Sequence, residues 1–148
     1  MHEYDGRFRN ILDAKGRINL PARFRDLTVK DENGEMVFVM TRGSEENIAV
    51  FPVNEWRRKI NELETVITDG KQRRILIRRL NCYASYQKVD KQGRINIPAE
   101  LIEYAHLDKE VVVLGFVKRF EIWNPAKLDI DMQKNESQYQ ELSEFFDF

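Results

Sequence analysis

One string, written twice, constrains this 148-residue chain more than any other feature. "DAKGRINLPARFR" runs from Asp13 to Arg25, and "DKQGRINIPAELI" begins 77 positions later, from Asp90 to Ile102. The copies match at seven of thirteen positions without a gap: Asp, Gly, Arg, Ile, Asn, Pro and Ala. The segments downstream of the two copies are also alike in kind. "MVFVMTRGSEENIAVFPVNEW" comes after the first and "VVVLGFVKRFEIWNPAKL" after the second. Each reads as an apolar strand, a polar turn, a second strand ending in an aromatic (Phe51 or Trp123), then proline and a helical stretch. An internal repeat decides organisation before local propensity does. The chain therefore divides into repeats 1–76 and 77–148.

Within each copy, "RINL" and "RINI" alternate polar and apolar, the pattern of a half-buried strand. Ile18 and Leu20, or Ile95 and Ile97, share the apolar face. Gly16 and Gly93 stand just before those strands, where a tight turn can require positive φ. Pro21 and Pro98 stand where a short helix begins, a slot in which proline's missing N–H costs nothing. Leu101, Ile102 and Ala105 recur at helical spacing. "VVVLGFVKRFEIW" predicts a hairpin turning near Lys118–Arg119. Between the copies, Trp56, Ile60 and Leu63 predict one helix, and Ile75, Leu76, Arg79 and Leu80 another, broken at Asp69–Gly70. The tail after Asn124 reads as helical and acidic. A half of strands with one small helix cannot bury its own apolar face. Two halves completing one barrel can, as two subunits of a homodimer would.

Composition excludes several classes. Apolar residues are 42% and charged residues 33%, the mix of a soluble globular protein. No apolar run is long enough to span a membrane, and the opening "MHEYDGRFRN" has no secretory signal core. Cys82 is the single cysteine. It is expected to be a small buried apolar residue in a reducing cytoplasm. His2 and His106 have no Cys or His partners at metal spacing, and no glycine loop or nucleophile motif is present. Neither cofactor nor small-molecule substrate is expected. The two repeated aspartates each have an arginine nearby, which keeps them ionised rather than poised for acid–base work.

Net charge is −1, but it is segregated. Residues 1–25 carry six bases against three acids, and 70–79 carry five bases and no acid. Residues 125–148 carry two bases and six acids. A basic face on a near-neutral protein favours polyanions.

The D-x-x-G-R-hydrophobic-x-hydrophobic-P pattern resembles the SpoVT-AbrB type of swapped-hairpin barrel. Its two occurrences, "LDAKGRINLPARFR" and "VDKQGRINIPAEL", are similar to the MraZ family, over roughly Tyr4 to Pro125. The resemblance implies an α+β fold, mainly a β pseudo-dimeric barrel from two repeats with flanking helices. It also implies a DNA-binding transcriptional regulator, a repressor of its own promoter and of the division and cell-wall gene cluster. Such a protein binds short direct repeats of double-stranded DNA as a ring-shaped homo-oligomer, in the cytoplasm at the nucleoid. The signature pairs are Asp13 with Arg17 and Asp90 with Arg94. A further arginine past the proline is matched by Arg25 in the first copy, whereas the second has Ile102.

Cations that release counterions from phosphates supply DNA affinity, and arginine on guanine is the commonest specific base contact. Arg17 is the leading candidate, beside a glycine turn and with a planar fork suited to paired acceptors. Asp13 either holds the turn or orients the arginine. Arg7, Lys15, Arg23, Arg25, Lys91 and Arg94 complete the candidate DNA contacts, while Asp13, Gly16, Pro21, Asp90, Gly93 and Pro98 form the motif's framework. Because Lys15, Arg23 and Arg25 align with Gln92, Glu100 and Ile102, the first copy is expected to dominate affinity. "QRRILIRR" reads as a packing or subunit-interface helix whose arginines could meet a neighbour's acidic tail, with DNA contact as the other reading. A scaffold or antitoxin-like protein binder is the alternative function.

Overall fold

The computed structural model describes residues 3–148, so His2 lies outside it. The first repeat supplies β1 (Arg7–Ile11), β2 (Arg17–Asn19), α1 (Ala22–Leu27), β3 (Val37–Arg42) and β4 (Ile48–Pro52). Two helices come next, α2 (Val53–Val66) and α3 (Gly70–Cys82). The second repeat supplies β5 (Ser85–Lys88), β6 (Arg94–Asn96), α4 (Ala99–Tyr104), β7 (Glu110–Phe116) and β8 (Arg119–Trp123). It ends in α5 (Pro125–Lys134) and α6 (Glu136–Phe145).

The repeats exchange strands. A six-stranded antiparallel sheet runs in the order β1-β7-β8-β4-β3-β5, and β2 pairs with β6 in a separate ribbon. Thus β1 of the first repeat lies on β7 of the second, and β5 of the second lies on β3 of the first. The fold is α+β, with the strands at its centre and the helices flanking them. Neither repeat holds a core alone, because the largest cluster draws Ile18, Leu20 and Phe24 together with Ile95, Ile97 and Leu101. Phe38, Met40, Val111, Val113 and Phe120 of the sheet close that cluster from below. The ribbon therefore covers one face of the sheet.

Strand alternation sends the other set of side chains to the opposite face. Val39, Ala49 and Phe51 pack there on Trp56 of α2, with Ile60 and Leu80 beside them. Val112 and Trp123 pack on Leu128 of α5. Phe51 and Trp123 are thus equivalent anchors for the two flanking helices. Asp69 caps α3, its side chain accepting from the Lys71 and Gln72 N–H groups, which explains the break at Asp69–Gly70.

Three local expectations are corrected. Pro21 and Pro98 are the residues preceding α1 and α4, at φ −52° and −58°, rather than their first helical residues. The β7–β8 hairpin turns one position earlier, with Phe116 opposite Arg119 and Val117 at φ 64°. Cys82 is exposed, not buried. Leu80 packs toward the sheet, and two residues further along a helix is a rotation of about 200°.

Candidate nucleic-acid interface

The motif builds the same turn twice. The Asp13 Oδ1 accepts the N–H groups of Lys15 and Arg17, both at 2.9 Å. Its Oδ2 accepts from the Arg17 Nε at 2.9 Å. The Gly16 N–H donates to the Asp13 carbonyl at 3.0 Å, with Gly16 at φ 79°. Asp90 repeats this with Gln92 N–H, Arg94 N–H and Arg94 Nε, all at 2.9 Å, and Gly93 sits at φ 80°. One carboxylate thus ties off the turn and fixes an arginine. The Arg17 backbone N–H bond is the main cause holding the Asp13 carboxyl below the usual aspartate range. The Arg94 N–H does the same for Asp90. Both stay ionised, as the sequence implies.

The turns feed a ribbon with a local two-fold. Ile18 pairs with Ile95, Arg17 with Asn96, and Asn19 with Arg94. Both isoleucines are buried, so alternation turns Arg17, Asn19, Arg94 and Asn96 outward. With each Nε committed to its aspartate, the two terminal nitrogens of each guanidinium bond no protein group among the described residues. That leaves a free two-pronged edge on each arginine. The turns also lock across copies: Leu20 N–H donates to the Gly93 carbonyl at 2.9 Å, and Ile97 N–H to the Gly16 carbonyl at 2.7 Å.

The post-proline residues cross over. A methyl group added at Gly93 would stand 2.6 Å from the Arg25 Nη1. One added at Gly16 would stand 3.4 Å from the Ile102 Cδ1. Arg25 therefore lies on the second copy's turn and Ile102 on the first's. Arg25 shares a hollow with Asp90, Lys91 and Lys30. The half-site around Arg94 gathers Lys91 and Arg25, and the half-site around Arg17 has Lys15, which is exposed.

Two sequence candidates sit elsewhere. Arg7 lies at an outward position of β1 and pairs with Asp129 of α5 at 3.1 Å, on the far side of the sheet from the ribbon. Arg23 is exposed and pairs with Asp5. The excess of bases in the first copy is thus partly neutralised within the chain. The "QRRILIRR" segment is α3, which packs on the sheet face opposite the ribbon. Its Arg73 donates to the Ile67 carbonyl at 2.9 Å. Asn19 and Asn96 are outward residues that sequence reasoning missed as candidate contacts. Their signal is visible in the sequence, since both belong to the shared "RIN" and alternate with the buried isoleucines.

Comparison with known proteins matches this architecture. A family model described as "MraZ protein, putative antitoxin-like" matches residues 6–79 and again residues 80–146. The chain belongs to the MraZ family. A protein of Natranaerobius thermophilus named transcriptional regulator MraZ is 40% identical over 142 residues, 94% of this chain and 93% of that one. A namesake from Halothermothrix orenii is 36% identical over 138 residues, 93% of this chain and 92% of its own. One from Pediococcus pentosaceus is 37% identical over 139 residues, 94% and 93% respectively. The MraZ repeat boundary between residues 79 and 80 falls inside α3, so the helix that links the two strand sets is shared by both. Among the described residues no helix is long and apolar enough to cross a membrane, and no three His, Cys, Asp or Glu side chains are grouped to hold a metal.

Proposed function

We propose that the protein is a sequence-specific DNA-binding transcriptional regulator whose β2–β6 ribbon enters the major groove. One observation carries this reading: Arg17 and Arg94, each held by an aspartate, project from one ribbon across a local two-fold. A major groove about 12 Å wide admits a two-stranded ribbon. The free edge of each guanidinium matches the paired O6 and N7 acceptors of guanine. Asn19 and Asn96 offer the amide that pairs with adenine N6 and N7. Lys15, Lys91 and Arg25 are placed to neutralise phosphates on either side.

A single ribbon is small. Specific protein–DNA interfaces bury roughly 1,000–2,500 Å² of protein surface. Several copies along one duplex reach that range and read short direct repeats. The reading therefore includes a homo-oligomer, acting at the nucleoid on its own promoter and on the division and cell-wall genes as a repressor. The names of the relatives support regulation of transcription.

Titration with duplex DNA from upstream of its own gene, at rising salt, tests this. The expected result is tight binding that weakens linearly on a log–log salt plot, with a scrambled duplex bound far more weakly. Absent or salt-insensitive binding favours the antitoxin-like protein binder instead.

A further inference from the structure

The ribbon's reading edge is the same from both ends. Arg17 lies opposite Asn96 and Asn19 opposite Arg94, so a half-turn about the local two-fold exchanges the two arginines and the two asparagines. Such an edge offers the same donors in either orientation. Orientation on a duplex then comes from phosphate contacts, which fix register and direction without reading sequence. The duplication supplies an internal comparison for where those contacts lie.

Each turn is flanked by a hollow, and the two hollows occupy equivalent places. One lies where β5 meets the loop before β3, with the Val89 N–H donating to the Met36 carbonyl at 2.9 Å. The other lies where β1 meets the loop before β7, with the Leu12 N–H donating to the Lys109 carbonyl at 2.7 Å. Their chemistry differs. Arg25, Lys30 and Lys91 line the first. The 77-residue offset sets these against Ile102, Leu107 and Ala14, and the last two line the second hollow beside Ile11 and Leu12.

The acids of the first hollow do not cancel its cations. Asp90 is bound to Arg94 at 2.9 Å and Glu35 to Lys88 at 2.8 Å, which leaves Asp26 uncommitted. Arg25, Lys30 and Lys91 make no ion pair among the described residues. The buried Arg25 Nε has no hydrogen-bond partner among them either. In the second hollow Lys109 stands with the uncommitted Asp108, since Asp13 is bound to Arg17 and Glu110 lies 3.4 Å from Arg9. Lys15 is the cation of that turn.

We propose that the first hollow is a clamp for the backbone phosphates at one flank of the recognised bases, and that it sets the direction in which the chain lies on DNA. Arg25 and Lys30 come from the first repeat and Lys91 from the second. This deepens, and rests on, the reading of the ribbon as the DNA-reading element. Lys30 is the residue it adds. Arg25 presents a planar fork held against the Gly93 turn, and the two lysines add point charges. The twin hollow puts aliphatic groups where these cations stand, so the opposite flank goes unclamped. Direct repeats require such a device, because every copy faces the same way and the ribbon edge alone does not choose.

Methylphosphonate scanning of the full chain's binding tests this. Neutral linkages replace one phosphate at a time in duplex from upstream of the protein's own gene, and affinity is read by anisotropy. Wild type is expected to lose affinity chiefly from positions on one flank of each recognised site. Lys30→Ala is expected to lower the salt slope by about one and to lose sensitivity on that flank alone. Ala14→Lys, at the position matching Lys91, is expected to add sensitivity on the opposite flank. Both residues are exposed, so neither change disturbs the core. A wild-type scan equal on both flanks, an unchanged slope and scan for Lys30→Ala, or no new flank for Ala14→Lys would each overturn the clamp and leave the ribbon's reading of DNA intact. Wild type that fails to bind the duplex at all would overturn both.

Discussion

Asp13 holds Arg17 at two points, its Oδ1 on the backbone N–H and its Oδ2 on Nε, both at 2.9 Å. The choice between a turn-holding aspartate and an arginine-orienting one is resolved in favour of both. The two roles separate by mutation. Asp13→Asn keeps an acceptor for the turn but loses the charged partner of Nε. A charge-assisted hydrogen bond is stronger than a neutral one, so the substitution loosens the Arg17 guanidinium more than it loosens the turn. Affinity for specific DNA is expected to fall by more than the loss of folded stability accounts for, read by fluorescence anisotropy and thermal denaturation. A large stability loss with unchanged affinity relative to folded protein would assign Asp13 to the turn alone.

The same carboxylates set a pH dependence. Their native values lie below the ordinary aspartate value near 3.8, chiefly through the backbone N–H groups of Arg17 and Arg94. A depressed native value gives stability that is complete above the ordinary range and lost as pH falls through the native one. Urea unfolding between about pH 5 and about pH 1 should therefore show a steeper loss for the wild type than for an Asp13→Asn, Asp90→Asn double variant. Parallel curves would remove the turns from the acid response.

Gly16 and Gly93 are required by their backbone, at φ 79° and 80°. A left-handed conformation costs an alanine roughly 1–2 kcal/mol. Gly16→Ala adds a close approach to the Ile97 carbonyl at 3.2 Å, whereas Gly93→Ala displaces the Arg25 guanidinium. Both should lower stability by about that amount in denaturant titration. Gly93→Ala should in addition weaken DNA binding through Arg25. Equal binding by the two variants would detach Arg25 from the interface.

Arg25 lies on the turn of the other copy, so its effect belongs to the Arg94 half-site. Arg25→Ala should weaken binding to all duplexes alike and reduce the salt slope by about one. Ile102→Ala should leave the slope unchanged. Equal slopes for Arg25→Ala and wild type would mean that this cation is not on a phosphate.

Much of this is legible in the sequence, and the limits have physical causes. The copied Asp, Gly and Arg act locally, within five residues, so spacing alone locates both turns. The helices announce themselves through Asp69, Trp56 and the apolar period. Strand exchange is expected in outline but its register is not, because nothing in "RIN" says that Ile18 meets Ile95 rather than its own repeat's strand. Ladder pairing is non-local and is set by which face must be buried. The same cause hides the crossing of Arg25 to Gly93 and the attachment of Arg7 to Asp129. Charge counts along the chain are a poor guide to the interface for this reason. They cannot see that Arg7, Arg9 and Arg23 face acids of distant segments or of the N-terminal arm.

If the ribbon reads DNA through Arg17 and Arg94, removing either arginine must cost sequence preference before it costs fold. Binding of Arg17→Ala, Arg94→Ala and wild type is therefore compared by anisotropy at fixed salt, on duplex from the protein's own upstream region and on a scrambled duplex. Each bidentate arginine–guanine contact carries about 1–3 kcal/mol of base discrimination. Each variant is expected to lose most of its preference for the specific duplex, to keep weak binding to both, and to keep the wild-type fold and size. Undiminished preference in both variants would contradict the assignment of the ribbon to DNA.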